Sequence, residues 1–401
     1  MENQLNKFDT IIVGGGAAGL IAAIVAARRK QNVLIIEKTN SLGKKILVSG
    51  NGRCNLTNVN LSPDKYYGEN TKCLHSIFSR FSCADTIKFF EGLGVKFKIE
   101  PDGRVFPNTD KAPTILGAMT KEITRLGVRI KTNERAIKLN PAKTGWQVIT
   151  DKNSYQTKSV VLTTGGKSYP QLGTTGDGYD IAHKLGHQIV EPRPALVPIE
   201  LQGNWFKDLQ GIQINAELII TEKNKQIKRA GDLLFTHFGI SGPVVLDTSR
   251  LINNKNNELF INFLPAYKNR NDLVRYLVNY TRKTILNSLA GLLPKKLVAV
   301  LLDILKINPQ NQVCQIKKEE ILLITERLMN WHVSVKNPRS FNESMVTAGG
   351  VSVDEINTKT MESLKAKGLY LAGEILDIDG ISGGYNLQFA WSTGYLAGLN
   401  C

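Results

Sequence analysis

Three glycines near the start of the chain are spaced as in loops that hold a dinucleotide. Gly14, Gly16 and Gly19 follow the apolar strand Asp9–Val13 and open an alanine-rich helix. In this spacing the first glycine allows a tight turn, the second lets the backbone approach a pyrophosphate, and the third lets the helix pack closely on the sheet. The free N–H groups at the start of such a helix face the phosphates.

An acidic residue, Glu37, ends the second apolar strand, which follows the alanine-rich helix. A carboxylate at this point can accept hydrogen bonds from the ribose hydroxyls of an adenosine. Strand, glycines, helix, strand and acid occur in the required order. The segment therefore predicts a dinucleotide site at the carboxyl edge of a parallel sheet.

Two further strands needed to complete this sheet lie far downstream. Ser159–Thr164 ends at Gly165-Gly166, and Gly368–Ala372 ends at Gly373-Glu374. Short apolar strands followed by glycine are typical of central parallel strands at a ligand-binding edge. A helix over Leu387–Leu399 is predicted to follow. The cofactor domain is therefore predicted to be discontinuous, over residues 1–195 and 335–401.

The middle of the chain has a different pattern. Ile212–Thr221 and Leu259–Leu264 have the apolar pattern of strands, which predicts a β-rich insert over 196–267. The helical spacing of Leu273, Leu277 and Tyr280 predicts a helical insert over 268–334. The fold class is therefore α/β, with a Rossmann-like domain and two inserts.

Composition narrows the class of protein. The 401 residues suffice for two or three domains. No apolar run approaches the ~20 residues that span a bilayer, and no apolar signal core precedes the first strand, so we expect a cytoplasmic protein without a membrane partner. The five cysteines are scattered and form no Cys-x-x-Cys pair, which argues against a disulfide framework and against a metal site.

Positive charge is in large excess. Lys and Arg number 51 against 35 Asp and Glu, a net charge of +16 with a pI near 9.5. This excess favours a polyanionic partner such as nucleic acid, and a merely solvated basic surface is the alternative. A dense run consists of Lys268, Arg270, Arg275, Arg282, Lys283, Lys295 and Lys296, and a smaller cluster consists of Lys223, Lys225, Lys228 and Arg229.

Several further segments carry a resemblance to a known family. They are Gly43–Asn58 (GKKILVSGNGRCNLTN), Thr164–Pro170 (TGGKSYP), Gly173–Gly178 (GTTGDG), Leu234–Pro243 (LFTHFGISGP), Thr347–Val351 (TAGGV), Ala372–Gly380 (AGEILDIDG) and Ser382–Gln388 (SGGYNLQ). Over essentially the whole chain, this set resembles the bacterial flavoproteins called YhiN-like or BaiN-like. The resemblance implies an FAD-binding domain of the glutathione-reductase type with a β-barrel-like insert and a helical insert. It also implies NAD(P)H as electron donor.

Two activities are associated with the family that the chain resembles. One reduces a uridine of large-subunit ribosomal RNA to dihydrouridine, and the other reduces a C=C bond conjugated to a ketone in bile-acid intermediates. Both add a hydride and a proton across an activated C=C bond. The basic excess favours ribosomal RNA over a small enone. A flavin-containing RNA-binding protein without turnover and an oxidase that passes electrons to oxygen are the other interpretations.

The resemblance also indicates which residues hold FAD. The glycines at the start of the last helix would present backbone N–H groups to the pyrimidine edge of the flavin. A second Gly-x-Gly-x-x-Gly unit after a strand is missing, so NAD(P)H is expected to visit a shared cleft. Besides the opening glycines and Glu37, the predicted contacts are Lys38, Lys45, Arg53, Asn55, Thr164, Gly165, Gly166, Gly373, Glu374, Gly384, Tyr385, Asn386 and Leu387.

Two residues are candidates for the proton transfer. Reduction of uridine needs a proton at C5 once hydride reaches C6, and the thiol of Cys54, tuned by the neighbouring Arg53, is one candidate donor. The alternative is that Cys54 is a small apolar residue packed against the cofactor. His237, which lies between aromatic residues, is a second candidate acid or a structural histidine.

Overall fold

A computed structural model describes residues 7–222, 225–252 and 258–401. It divides into two compact units, the first running up to Pro194 and resuming over Met345–Cys401, the second covering Ala195–Ser344. The second boundary thus differs from the one predicted at residue 335. The reason is that strand Val335–Pro338 pairs with Ile199–Leu201, inside the second unit.

A parallel sheet forms the centre of the first unit. Its strands lie in the order Leu369–Leu371, Ser154–Leu162, Lys7–Val13, Val33–Ile36 and Arg129–Lys131. All four residues of Val33–Ile36 are buried, as expected for a parallel strand covered on both faces. The predicted α/β class is therefore confirmed, and strand Leu369–Leu371 from late in the chain completes the parallel sheet.

Shorter elements surround this sheet. Further strands extend it or form small separate sheets: Ala136–Ala142, Gly145–Thr150, Ile356–Asn357 and Glu362–Ser363 in the main sheet, and Thr57–Asn58, Phe97–Ile99, Arg104–Pro107, Tyr66–Tyr67, Asp379–Gly380, Ile189–Ala195 and Val346–Val351 outside it. The α-helices are Ala17–Arg28, Lys44–Val48, Cys73–Phe78, Cys83–Glu91, Ala112–Arg125, Asp177–Lys184 and Tyr385–Asn400. Short 3₁₀ turns occupy Pro63–Lys65, Pro170–Leu172 and Val353–Glu355.

The opening helix, Ala17–Arg28, packs directly on the closing helix, Tyr385–Asn400. A Cβ added to Gly394 would lie 2.9 Å from Cα of Ala18, and one added to Gly398 would lie 2.8 Å from Cα of Ala22. The two backbones are therefore in contact. Glycines one turn apart on the closing helix and alanines one turn apart on the opening helix make this possible.

The second unit is an antiparallel sheet with helices. Its strands lie in the order Trp331–Val333, Glu258–Asn262, Gln213–Glu222, Lys225–Thr236, Gly239–Ser241, Ile199–Leu201 and Val335–Pro338. Its helices are Pro243–Ser249, Arg270–Val278, Ile285–Leu289, Lys295–Ile304 and Lys318–Met329, with 3₁₀ turns at Lys207–Leu209, Arg250–Ile252 and Val313–Gln315. One apolar core joins strand residues such as Leu218 to helix residues such as Leu301. The two predicted inserts therefore fold as one body.

A buried histidine in the first unit resembles the centre of a hydrolase triad. His187 Nε2 lies 2.9 Å from Ser363 Oγ, and His187 Nδ1 lies 2.9 Å from Glu355 Oε2. However, Ser363 Oγ also accepts the backbone N–H groups of Lys365 and Ala366, and Ser363 is only 6 % exposed. With its oxygen so occupied, Ser363 is not available as a nucleophile. The arrangement is a structural network.

This network gives the fold a predictable pH dependence. Burial lowers the pKa of His187 below 6.5, against the opposing effect of Glu355. The unfolded chain therefore takes up this proton first as pH falls, and the stability that neutral His187 supports is lost below pH ~6.5. The free energy of unfolding, measured in urea between pH 7 and 5, should therefore fall as the pH falls. His187→Gln should reduce this slope by up to ~1.4 kcal/mol per pH unit.

The matched control for this pH dependence is His183→Gln. His183 is exposed on helix Asp177–Lys184, so its replacement removes a histidine without removing a buried one. Equal flattening in both variants would show that burial of His187 is not the cause.

Candidate functional site

The carboxyl ends of four parallel strands meet at one edge of the sheet in the first unit. Lys7–Val13 is followed by Gly14, Val33–Ile36 by Glu37, Ser154–Leu162 by Thr163, and Leu369–Leu371 by Ala372-Gly373-Glu374. Ligands of open α/β sheets bind outside this edge. Most of the predicted cofactor residues of the first unit follow one of these strands.

The first glycine turn is built as the motif predicts. Gly14 has a φ of 105°, and a Cβ there would lie 2.5 Å from the carbonyl oxygen of Thr163. A Cβ added to Gly19 would lie too close to the same residue, 2.7 Å from Thr163 Oγ1. Thr163 Oγ1 also donates to the carbonyl oxygen of Gly14 at 2.8 Å or to that of Val13 at 3.0 Å. Thr163, absent from the sequence prediction, thus supports the turn from the neighbouring strand.

Gly16 is different from the other two glycines. Its φ of −79° suits any residue, and, its two chain neighbours apart, no atom of a described residue lies within 4 Å of where its Cβ would stand. The fold itself therefore does not require glycine here, whereas a pyrophosphate approaching the backbone does. Gly16 is also the N-cap of the opening helix and has no side chain to satisfy the N–H groups of the first turn.

The carboxylate of Glu37 is fixed by the backbone. Its Oε2 accepts the N–H of Gly15 at 2.8 Å, and its Oε1 accepts the N–H of Thr39 at 2.7 Å. These bonds hold the acid beside the glycine turn. Each carboxylate oxygen can accept a further hydrogen bond, so the expected ribose contact stays a prediction.

A polar network ties three segments of the first unit together around Glu374. Its Oε2 pairs with Nζ of Lys45 at 2.6 Å, while its Oε1 accepts Ser168 Oγ at 2.6 Å and the N–H of Thr347 at 2.8 Å. Lys45 and Glu374 were both predicted to contact the cofactor. The structure shows their charged groups engaged with each other, which links the surrounding loops, and their contact with a cofactor stays a prediction.

Lys38 is engaged similarly. Its Nζ pairs with Asp177 Oδ2 at 2.6 Å and donates to Thr175 Oγ1 at 2.5 Å. Arg135 completes the network through Asp177 Oδ1 at 2.7 Å. The ammonium group of Lys38 is therefore held by protein atoms, which the sequence did not predict.

The loop that ends at Asn58 lies against the start of the closing helix. Asn58 Nδ2 donates to the carbonyl oxygen of Gly383 at 3.0 Å. A Cβ added to Gly384, whose φ is 99°, would lie 2.6 Å from the carbonyl oxygen of Thr57 and 2.8 Å from Asn55 Oδ1. Glycine is thus required at Gly384 by the fold. The structure brings Asn55 and this helix terminus together, as the cofactor prediction requires.

The side chains that follow Gly384 face the protein. The Asn386 amide bonds the N–H and the carbonyl oxygen of Gly380, both at 2.8 Å. Tyr385 is 5 % exposed and packs at 5.8 Å from the ring of Tyr66, and Leu387 packs partly buried against the core. Any contact of these residues with a cofactor would therefore come from their backbone N–H groups.

Four buried side-chain oxygens have no hydrogen-bond partner within the described part of the chain: Asn55 Oδ1, Thr164 Oγ1, Tyr179 Oη and Ser288 Oγ. Asn55 and Thr164 are residues predicted to contact FAD. A buried polar atom without a partner costs ~1–3 kcal/mol, so each fits a hydrogen bond from a bound group. Gly165 has a φ of 73°, and Gly166 and Gly373 also lie at the strand ends with no side chain. The residues present therefore fit a dinucleotide such as FAD.

Arg53 does not tune Cys54. Its guanidinium pairs with Glu100 Oε1 and Asp110 Oδ1, both at 2.7 Å, and stacks 3.8 Å from the centre of the Phe106 ring. The thiol of Cys54 is 0 % exposed, and burial raises its pKa to about 12. The structure thus contradicts the expectation of an accessible, cation-tuned thiol. It favours the alternative in which Cys54 packs as a small apolar residue.

We expect Cys54→Ala to keep product formation within about threefold of the parent enzyme, a change of under ~1 kcal/mol in the barrier. Turnover and flavin content should be measured on the same samples. Cys314→Ala, at an exposed cysteine, is the control. A loss of ~100-fold or more with flavin retained is typical of a missing general acid and would restore the proton-donor role.

His237 lies in the second unit. It is exposed in the turn between strands Lys225–Thr236 and Gly239–Ser241, with its ring 4.9 Å from that of Phe238. An exposed imidazole can exchange a proton with solvent and substrate. Its role as an acid stays a prediction.

Comparison with known proteins decides the family. The family described as "HI0933-like protein Rossmann domain" matches residues 8–400. The chain belongs to the HI0933-like family. This confirms the resemblance drawn from the sequence motifs.

Two relatives of this chain are named for different reactions. The 3-dehydro-bile acid delta(4,6)-reductase of Clostridium scindens is 34% identical over 375 residues, 91% of each chain. The ribosomal RNA dihydrouridine synthase of Escherichia coli is 32% identical over 392 residues, 98% of this chain and 97% of the relative. These matches make the chain an HI0933-like, flavin-dependent oxidoreductase.

A solved structure shows the same fold. The 3-ketosteroid delta1-dehydrogenase from Sterolibacterium denitrificans superposes with a TM-score of 0.53 at 13% identity, covering 98% of this chain and 99% of that one. Among the described residues, no helix has the length and apolar character needed to cross a bilayer. The same residues contain no group of three His, Cys, Asp or Glu arranged to hold a metal ion.

Proposed function

We propose that this HI0933-like chain binds FAD, is reduced by NAD(P)H, and reduces the C5=C6 bond of a uridine in large-subunit ribosomal RNA to dihydrouridine. The cofactor part is supported by the open space at Gly16 and by the partnerless oxygens of Asn55 and Thr164. Bound FAD would supply the redox chemistry, taking a hydride from the nicotinamide and passing it to the substrate.

The residues of the first unit do the positioning. The start of the opening helix at Gly16 would meet the pyrophosphate, and Glu37 would meet the adenosine ribose. The start of the closing helix at Gly384 would stabilise negative charge at the pyrimidine edge of the flavin. Glu374 and Lys45 hold the surrounding loops in place through their ion pair.

The net charge of +16 is the observation that carries the choice of RNA. A polyanion gains affinity from each lysine or arginine that meets a phosphate, whereas a small neutral enone gains nothing. The Escherichia coli relative named as a ribosomal RNA dihydrouridine synthase spans 98% of this chain, which agrees with this choice.

A second candidate is the reduction of a small conjugated enone. The relative named as a bile-acid reductase is slightly more similar, at 34% identity, which favours this candidate. In both reactions a hydride adds to one carbon of an activated C=C bond and a proton to the other. The chemistry is shared, and the substrate is what distinguishes the two candidates.

The experiment that tests the proposal uses large-subunit ribosomal RNA from a strain lacking the enzyme. The RNA is incubated with the holoenzyme and NADPH or NADH, and dihydrouridine is counted by mass spectrometry. A parallel reaction contains a 3-ketosteroid with a conjugated C=C bond, and a third contains no substrate and is assayed for peroxide.

A gain of dihydrouridine in the RNA with the steroid unchanged supports the proposal. Reduction of the steroid alone would replace it with the enone candidate. Rapid peroxide formation in every reaction, without either product, would indicate an oxidase. Flavin that neither nicotinamide reduces would indicate an RNA-binding protein without turnover.

A further inference from the structure

A concentration of unpaired positive charge lies in the second unit. We define the basic segment as Lys268, Arg270, Arg275, Arg282, Lys283, Lys295 and Lys296. All seven are exposed, and Asp272 is the one acid between residues 268 and 296. Asp272 pairs only loosely with Arg275, at 3.7 Å between exposed groups. The other six form no ion pair with any described residue, so their charge is uncompensated.

The position of two of these lysines does not serve helix stability. Lys295 and Lys296 stand in the first turn of helix Lys295–Ile304, where no acid accompanies them. Positive charge at a helix N-terminus is unfavourable because the helix dipole is positive there. An anion at this point would be attracted both by the lysines and by the free N–H groups of the first turn.

Aromatic side chains lie among the cations. Tyr280 is 36% exposed, and Nζ of Lys283 lies 4.4 Å from the centre of its ring. The ring of Tyr276 lies 5.0 Å from that of Tyr280. The Tyr276 hydroxyl donates to the carbonyl oxygen of Ser288 at 3.2 Å. Tyr280 is therefore held in place by its neighbours while part of its ring remains open to solvent.

We propose that the basic segment and Tyr280 form the docking surface for a single-stranded stretch of RNA. The inference rests on the proposed function, whose substrate is a ribosomal RNA. The cations would contact the phosphates, and an unpaired base would stack on Tyr280. Exposed aromatic rings beside cations are the combination that binds single strands without strong sequence preference.

Two triple variants test the location of the surface. The first carries Arg275→Gln, Arg282→Gln and Lys283→Gln. The control carries Lys138→Gln, Lys143→Gln and Lys152→Gln, three exposed lysines of the first unit without ion pairs to described residues. Both lower the net charge by the same amount. Binding of each holoenzyme to a fluorescent oligouridylate is measured across a salt series.

The first triple variant should bind at least about tenfold more weakly at physiological salt. The slope of log K against log[salt] should shrink by about 2, since each lost phosphate contact on a single strand removes ~0.7. The control should keep the parent slope. Flavin content and reduction by NADPH should be the same in all three proteins, because both changes are confined to exposed side chains.

Tyr280 is tested by its own pair of variants. Tyr280→Ala should weaken oligouridylate binding about tenfold without changing the slope of log K against log[salt]. Tyr280→Phe should bind as tightly as the parent protein, because the stacking ring is retained. Equal losses with Ala and Phe would overturn the stacking role. Unlabelled polyglutamate is tested as a competitor of the fluorescent oligouridylate. If it displaced the oligouridylate as well as unlabelled oligouridylate does, the surface would bind acidic protein equally well, and the assignment to RNA would be overturned.

The two proposals can fail separately. Equal weakening in both triple variants would overturn the docking surface and leave the proposed reaction untouched. RNA binding that depends on the basic segment, in a holoenzyme that forms no dihydrouridine, would overturn the proposed reaction and leave the docking surface. A parent protein that does not bind oligouridylate at low salt would overturn the docking surface directly.

Discussion

A folded chain that holds almost no flavin is the expected result of replacing Gly16 with alanine. Apart from the adjoining residues of the chain, the new methyl group meets no described atom within 4 Å, and the backbone conformation suits alanine. It would instead occupy the space into which a pyrophosphate approaches the helix terminus. We expect FAD affinity to fall on the order of 100-fold, a loss of ~2.7 kcal/mol, in a titration of the apoprotein followed by fluorescence.

Gly14→Ala provides the matched contrast two residues away. Here the added Cβ lies 2.5 Å from the Thr163 carbonyl oxygen at a φ of 105°, so the apoprotein itself should lose stability. Unfolding of both apoproteins in urea separates the two effects. A Gly16→Ala protein with normal FAD affinity would show that the pyrophosphate does not approach this backbone.

Gly394→Ala should cost about 3 kcal/mol of folding free energy, the upper part of the range for overpacked cores. Its Cβ would lie 2.6 Å from Cγ2 of Ile21 and 2.9 Å from Cα of Ala18, atoms of a helix that is itself buried. The opening and closing helices would have to separate. Urea unfolding followed by circular dichroism measures the loss, with a lower midpoint and an unchanged slope expected.

Gly117→Ala controls for the intrinsic effect of glycine in a helix. Gly117 is exposed inside helix Ala112–Arg125, and outside that helix's own backbone a Cβ there meets no described atom within 4 Å. Alanine should therefore stabilise the protein by ~0.5–1 kcal/mol. If the two variants changed stability equally, contact between the helix backbones would not be what requires Gly394.

The parallel core of the fold was predictable because each of its strands has a strong local signal. Lys7–Val13 and Ser154–Leu162 both end in a short apolar, largely β-branched run, and a glycine follows within three positions. The boundary at residue 345 was not predictable. Strand Val335–Pro338 is short and partly exposed, and only its pairing with Ile199–Leu201 assigns it to the second unit.

The site was predictable where backbone geometry decides. Gly14, Gly19 and Gly384 stand where a Cβ cannot fit, as their motifs suggested. Charged side chains were less predictable because their partners are remote in sequence. Lys45 pairs with Glu374, more than 300 positions away, and spacing alone does not reveal such a partner.

The burial of individual side chains was the other property that could not be predicted from the sequence. Cys54 stands in a glycine-rich loop beside an arginine, a setting that suggests a reactive thiol. In the structure the arginine forms ion pairs with two acidic side chains, and the thiol is buried in the core. Sequence shows which groups are neighbours along the chain, whereas accessibility and pKa depend on neighbours in space.

The contact between the opening and closing helices also constrains how the protein is made. The opening helix has buried residues around its whole circumference, and the closing helix that packs on it lies near the other end of the described chain. During synthesis this apolar helix leaves the ribosome long before Gly394 and Gly398 exist. Nascent chains are therefore exposed to aggregation and chaperone binding for most of translation, and the glycine turn at Gly14 gains its full support only late.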